Sequence, residues 1–486
     1  MHPEPGRPDR GIPDVGAGGA GPAEVYGDEF TGTGASVDAQ RTGGHSRDAL
    51  SPERRRRSSG RGSRSAARRS GPRAEDPGAE LERRVARVEF AEGALVRLRV
   101  PVRADAESGR DVLTDLDVIA IDVDFRLRVT RSILECKSGQ GQAKEPDRLF
   151  WLAGLERFVH ADRAALVRQT ITRRGRDIAA VLGLQVLDIP QLEAREAAHA
   201  WLPRSFAHVN GEGCTRLESH ADAQVKGLGH IPADLVAFLR HDALLAPSDR
   251  VLASLVTLDD CLSGNSAVPE PAGTILAGHA LIALLLAATA DAHTLDVVRP
   301  DELLGRLGRS LTVGSGDTQV LEVLDIADQL IGRLIEQIHE RYAEQGATRA
   351  EVTVPSLRGS VSDPPDWLPR YMNLLEALRS NPAVARDLLQ TAELACFDAL
   401  AGDSAYLSPA FDHLFTPEHR QLLRLAVRTL RSAVGPALAD RLGNGFADIN
   451  FERVPPALPD RRARQQPTES TPTELALDTT REFDSS

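Results

Sequence analysis

Leu116-Asp117-Val118-Ile119-Ala120-Ile121-Asp122-Val123-Asp124-Phe125, followed after Arg126 by Leu127-Arg128-Val129-Thr130-Arg131-Ser132-Ile133-Leu134-Glu135-Cys136-Lys137, is the stretch on which the fold turns. Both runs are rich in Val and Ile and stand close enough to pair as a hairpin or meander. Working outward, Leu95 to Val102 alternates Leu, Arg and Val as a half-exposed strand. Before it, Ala79 to Glu92 places Leu81, Val85 and Val88 on one helical face, closed by Gly93. After it, Pro146-Asp147 opens a helix to about His160, buried through Leu149, Leu152, Leu155 and Val159. Ala164 to Arg168 reads as a short strand, Arg173 to Leu182 as a helix stopped by Gly183, and Leu184 to Ile189 as a last strand before Pro190. The order α-β-β-β-α-β-α-β predicts an α/β domain over 79–205, a mixed sheet flanked by helices.

Beyond Gly211 the strand signal stops. Helical spacing recurs near 231–246, 248–262, 273–290, 300–311, 318–344, 367–380, 383–400 and 417–441, which predicts an all-α domain over 212–449. The stretch 346–365 reads as an exposed loop. Residues 1–78 and 450–486, poor in apolar periodicity and rich in Gly, Pro, Ser and Arg or in polar residues, are expected to be disordered. The apolar run Ala272 to Ala290 is long enough to raise the question of a membrane span. Its Ala content, the embedded Gly278 and His279, and the lack of a basic anchor favour a buried core helix. Four cysteines without a CxxC pair argue against a disulfide framework or a cysteine zinc site, and no secretory pattern opens the chain. A cytoplasmic protein is expected.

The net charge of −12 is unevenly spread. Glu53 to Arg73 holds nine arginines and one acid, a local +8, so the remainder carries −20. Such a basic arm can neutralise nucleic-acid phosphates without sequence preference, although an arginine-rich tail also follows from compositional bias. Only Lys137, Lys144 and Lys226 among the 58 basic residues are lysine. A lysine kept in so arginine-biased a chain is a candidate for chemistry that a guanidinium does not perform.

Ile133-Leu134-Glu135-Cys136-Lys137 is an apolar strand ending in Glu-x-Lys. A period of two puts Glu135 and Lys137 on one face with Cα atoms roughly 7 Å apart. Asp117 opens the preceding run, so its carboxylate can stand beside Glu135. Two carboxylates with the Cys136 backbone carbonyl between them offer oxygen ligands to Mg2+ or Mn2+. Lys137 is then placed to orient or deprotonate a water, or to offset charge on a reacting phosphate. The competing reading is an exposed ion pair at a strand end.

These residues resemble a known superfamily. Leu116-Asp117-Val118-Ile119-Ala120, Leu134-Glu135-Cys136-Lys137-Ser138, Ala164-Ala165-Leu166-Val167 and Asp177-Ile178-Ala179-Ala180-Val181-Leu182-Gly183 together look like the PD-(D/E)xK nucleases, closest to the Mrr-like and Holliday-junction-resolvase-like branches. The resemblance covers residues 80–192 and implies a restriction-endonuclease-like fold, a divalent metal and phosphodiester hydrolysis. It implies that Asp117 and Glu135 hold metal and that Lys137 is catalytic. A further acid from the first helix, best matched by Glu82 and less well by Glu89 or Glu92, would join them. Leu116 stands where the name-giving proline would be, and Asp115 and Asp122 are neighbouring substitutes for the metal aspartate.

The expected function is therefore a Mg2+-dependent endodeoxyribonuclease, in restriction, phage defence or repair. Its partners would be DNA, held in part by Arg173, Arg174 and Arg176, and a second copy of the chain, since one such site cuts one strand. The helical domain would be free to bind another protein. The alternative is a catalytically inactive nuclease-fold protein that binds DNA or acts as a scaffold through its helices. A second pattern, His220, His241-Asp242 and Asp259 or Asp260, is similar to the ligand order of HD-type phosphohydrolases, but its flanks are poor and chance explains it better. His413 and His419 are expected at the surface.

Overall fold

Five strands form one sheet in the order β1-β2-β3-β4-β5: β1 (Leu95–Arg103), β2 (Val112–Val123), β3 (Val129–Lys137), β4 (Arg163–Arg168) and β5 (Gln185–Asp188). β1, β2 and β3 run antiparallel, whereas β3, β4 and β5 run parallel, so the sheet is mixed, as expected. The computed structural model describes residues 77–103, 112–138, 145–199, 202–264, 267–313, 318–346, 356–357 and 364–453. The crossovers that parallel pairing demands are α2 (Glu145–Phe158) and α3 (Arg173–Leu182), while α1 (Pro77–Ala91) precedes β1. α3 ends at Gly183, whose φ of +75° suits a residue without a Cβ.

The last expected strand is shorter than its reading. It stops at Asp188, and Ile189–Ala197 is a helix, α4. Asp188 and Gln191 form a reciprocal capping box there, with Pro190 in the first turn. The capping signal outweighs the β preference of Ile189. At the other end, Pro77 and Gly78 already belong to α1, two residues ahead of the expected boundary.

The remaining helices are α5 (Glu212–Val225), α6 (Ala233–Arg240), α7 (Ser248–Leu262), α8 (Ala272–Thr294), α9 (Pro300–Val313), α10 (Thr318–Glu344), α11 (Leu368–Ser380), α12 (Pro382–Ala385), α13 (Leu388–Leu394), α14 (Pro417–Val434) and α15 (Pro436–Ala447). α5 lies where the sequence had signalled no helix. The expected segment 417–441 is two helices, because Gly435 adopts φ +78° and Pro436 starts α15. Most of 383–400 is also subdivided, ending in a π-helical turn at Ala395–Ala399. α8 is long and apolar enough to cross a membrane, but 94% of its apolar window is buried inside the protein. It is the central helix of the helical half, as its composition predicted.

The sheet and the helices share one hydrophobic core, which includes an edge-on cluster of Phe90, Phe206 and Phe411. Polar ties cross the same boundary. Arg97 of β1 meets Glu393 of α13 at 2.7 Å, both side chains nearly inaccessible. Gln390 donates to the carbonyls of Phe90 and Ala94 at 2.6 and 3.0 Å. Arg103 binds Asp242, and Arg131 donates to the Leu244 carbonyl. Phe451 is buried and Arg453 hydrogen-bonds the Tyr406 carbonyl, so ordered packing extends a few residues past the expected boundary at 449. The rest of the two terminal arms, and nearly all of the expected loop 346–365, lie outside the described residues.

Candidate active site at the rim of the sheet

Register decides which acids can meet. Val118 pairs with Leu134, so one further step sets Asp117 opposite Glu135 on the same face. The period of two then brings Lys137 to that face, where its Nζ lies 3.0 Å from Asp117 Oδ2 and 2.6 Å from Glu135 Oε1. The Cys136 N–H also donates to Asp117 Oδ2, at 2.8 Å. Because N–H and C=O of one strand residue point the same way, the Cys136 carbonyl lies on this side of β3. The three side chains read from the sequence as a set are thus brought together. Their accessibility is graded: Glu135 is 5% exposed and Lys137 35%.

The alternatives to Asp117 separate cleanly. Asp122 lies on the opposite face, near Glu92, Arg163 and Arg195. Asp115 shares the parity of Asp117 but is exposed and paired with Pro101, one step further from β3. Among the helix α1 acids, Glu89 and Glu92 are both engaged by Arg195. Glu82 is buried, is bound by Arg99 Nε at 2.8 Å, and acts electrostatically on the Cys136 thiol. By strand alternation the Cys136 side chain faces away from Glu135 and Lys137, so this influence places Glu82 toward the other face of the sheet and does not bring it to the cluster.

Electrostatics explain the grip of the ammonium. Burial raises the Glu135 carboxyl, opposed by the Lys137 hydrogen bond, with the Asp117 charge raising it further. For Lys137, burial works downward, but the hydrogen bond and charge of Glu135, then those of Asp117, carry its pKa above the ordinary lysine value. In this arrangement Lys137 is a held cation and donor rather than a base. Burial, then the charges of Asp117, Glu82 and Glu135, push the Cys136 thiol well up, so it is inert.

Sequence reading missed the second ring of side chains. Arg148, from α2, reaches Glu135 Oε1 at 3.4 Å and stacks its guanidinium over Trp151. Arg168 lies beside Lys137 in the parallel register and binds the buried Glu145 at 3.2 Å. Glu145 also accepts from Thr172, which caps α3, and presses on Gly175, where a Cβ would stand 1.6 Å from its Oε1. The signal available was Thr172-x-x-Gly175 at a helix start, but its partner lies 27 residues away. Of the expected phosphate contacts, Arg173 and Arg174 are exposed at the start of α3, while Arg176 is tied to Asp188 at 2.6 Å.

The rival histidine pattern is not assembled: His220 is exposed, and Asp242 is taken by Arg103. His419 is buried, contrary to expectation, because it lies on the inner face of α14. A different cluster forms instead. His208, Glu218 and His279 offer donor atoms all within 4.8 Å of one another. None of the three stood out by spacing, since they come from a turn and two separate helices. Comparison with protein-family models, curated proteins and solved structures gives no match for this chain.

Proposed function

We propose that the chain is a metal-dependent endonuclease of the restriction-endonuclease-like, PD-(D/E)xK type, hydrolysing DNA phosphodiester bonds in restriction, phage defence or repair within the cytoplasm. The observation that carries this reading is the meeting of Asp117 and Glu135, from adjacent strands, on the single ammonium of Lys137. A mixed sheet with α2 and α3 as crossovers supports it as the frame on which such a cluster is built.

The donor set fits a hard cation. Two carboxylates on one face and the Cys136 carbonyl on the same side are all oxygen ligands, which suits Mg2+ or Mn2+. Such an ion would polarise a phosphodiester and lower the pKa of a water. The chain's own part is orientation and charge. Lys137, half-exposed and protonated, is placed to donate to a non-bridging phosphate oxygen. Arg148, packed on Trp151, holds Glu135 and adds positive charge at the same rim. Arg173 and Arg174, exposed at the start of α3, would hold flanking phosphates. The arginine arm 54–73 would add contact without sequence preference.

Cutting both strands calls for two copies, and α10 offers a surface for the second. Val323, Ile326, Leu330, Leu334, Ile338 and Tyr342 are all exposed along it, a stripe about 29 Å long at 1.5 Å per residue. The same stripe is what favours the second reading, an inactive nuclease-fold scaffold that works through its helices.

A plasmid-nicking assay separates the two. Nicking that requires Mg2+ or Mn2+, stops with EDTA and is abolished in a folded, DNA-binding Lys137→Ala variant is the expected result. Full activity in that variant would refute the assignment, and absence of nicking by the parent chain would leave the scaffold.

A further inference from the structure

We infer that the helical half holds a second, separate metal site, for Zn2+ or a similar borderline transition ion, made by His208, Glu218 and His279. The cluster lies away from the sheet rim and draws no ligand from it. His208 Nε2 is 3.1 Å and His279 Nε2 3.0 Å from the same oxygen, Glu218 Oε1. Around a tetrahedral ion with bonds of about 2.0–2.1 Å, neighbouring donors stand about 3.3 Å apart, so each imidazole nitrogen is already near adjacent-ligand spacing from the Glu218 oxygen, and all three atoms lie within 4.8 Å of one another.

Hydrogen bonding points the same way. His208 Nδ1 lies 2.6 Å from Glu393 Oε1, the carboxylate-to-imidazole contact that fixes a metal-binding histidine with its other nitrogen bare. Glu393 is anchored in turn by Arg97. On the other imidazole, His279 Nε2 accepts from Arg240 Nε at 3.3 Å, so it is the unprotonated nitrogen, and an ion would take over the lone pair that Arg240 now occupies. Three lone-pair atoms then face one another, and something positive has to lie among them. In the metal-free chain that is the proton between His208 and Glu218 together with the Arg240 N–H on His279, and a divalent cation would replace both. Arg240 also lies 3.5 Å from Glu218, but Asp222 neutralises it through contacts of 2.8 and 3.1 Å, so it enters as half of an ion pair. Glu218 is 20% exposed, which leaves an entry path and room for a water as fourth ligand. Two histidines and a glutamate are a donor set that zinc accepts. An ion here would join the 206–211 turn to α5 and α8, and through Glu393 and Arg97 to the sheet.

The test uses tag-free, EDTA-stripped full-length chain in an Asp117→Asn background, which weakens the rim carboxylates. Co2+ and Zn2+ are titrated by calorimetry and by the visible absorption of bound Co2+. One ion per chain is expected, displaced from Co2+ by Zn2+, with a higher melting temperature in Zn2+. His279→Gln and Glu218→Gln should each remove the Co2+ spectrum, and Glu393→Gln should weaken affinity roughly 10–100-fold. No uptake by the parent, uptake only at several weak sites, or an unaltered spectrum in His279→Gln would each overturn the site. If circular dichroism shows that variant unfolded, the parent stoichiometry and the Glu393→Gln affinity decide.

Discussion

At the scale of single residues, the chemistry rests on how few side chains serve two neighbours. Lys137 holds two acids, and behind it Glu145 holds Arg168 and Thr172 while excluding any side chain at position 175. Gly175→Ala puts a methyl group where the Glu145 carboxylate lies, so the carboxylate must withdraw from the buried Arg168. A loss of about 1–3 kcal/mol is expected, the cost of leaving a buried polar group without its partner. Thermal melting checks it, and an unchanged midpoint would show that Glu145 relocates freely. The Asp117, Glu135 and Lys137 set was legible because it depends on alternation along two strands, a local property. Arg148 and Arg168 were not, because nothing in their flanking residues marks which acid each would reach.

At the scale of elements, buried histidine and exposed leucine are the informative exceptions. His419 on α14 has its pKa lowered to about 4, chiefly by burial and by the charge of His413, with Glu418 opposing. Its Nδ1 meets the Thr416 hydroxyl at 3.0 Å. The unfolded chain binds a proton there near pH 6.5 and the folded chain only near 4. Stability from this group is therefore complete above about pH 6.5 and falls as pH drops toward 4, by on the order of 2–3 kcal/mol. Denaturant melts across that window should show the slope, and His419→Leu should lessen it, the remainder coming from His241 and His279, which burial also lowers to about 3 and about 4; an equal slope in the variant would place the effect elsewhere. On α10, Leu330→Asp should convert a concentration-dependent dimer to monomer in analytical ultracentrifugation without lowering helicity. A parent chain that is monomeric at every concentration would rule out α10 as a self-association surface. The longer helices were readable from period and caps, except α4 and α5, which were not read at all, and except where Gly435 divided a run.

At the scale of the whole molecule, the sheet and the helical half are tied by buried polar contacts as well as by apolar packing. Arg97 and Glu393 are a buried pair, and removing the guanidinium leaves His208 as the buried partner of the Glu393 carboxylate. Arg97→Ala should cost about 3–5 kcal/mol and lower a single calorimetric transition shared by both halves. Two resolved transitions in the parent would show instead that the halves melt independently.

The sequence by itself determined the element order from α1 to β5, the mixed sheet, the burial of α8 and the identity of the rim residues, because each follows from spacing within about a dozen residues. Only the tertiary structure decided which aspartate faces Glu135 and that Arg97, His208, Glu218, Arg240, His279 and Glu393 form one buried network. Those choices depend on strand register and on packing between segments as much as 300 positions apart. A chain's local pattern carries no record of which distant charge will be desolvated beside it.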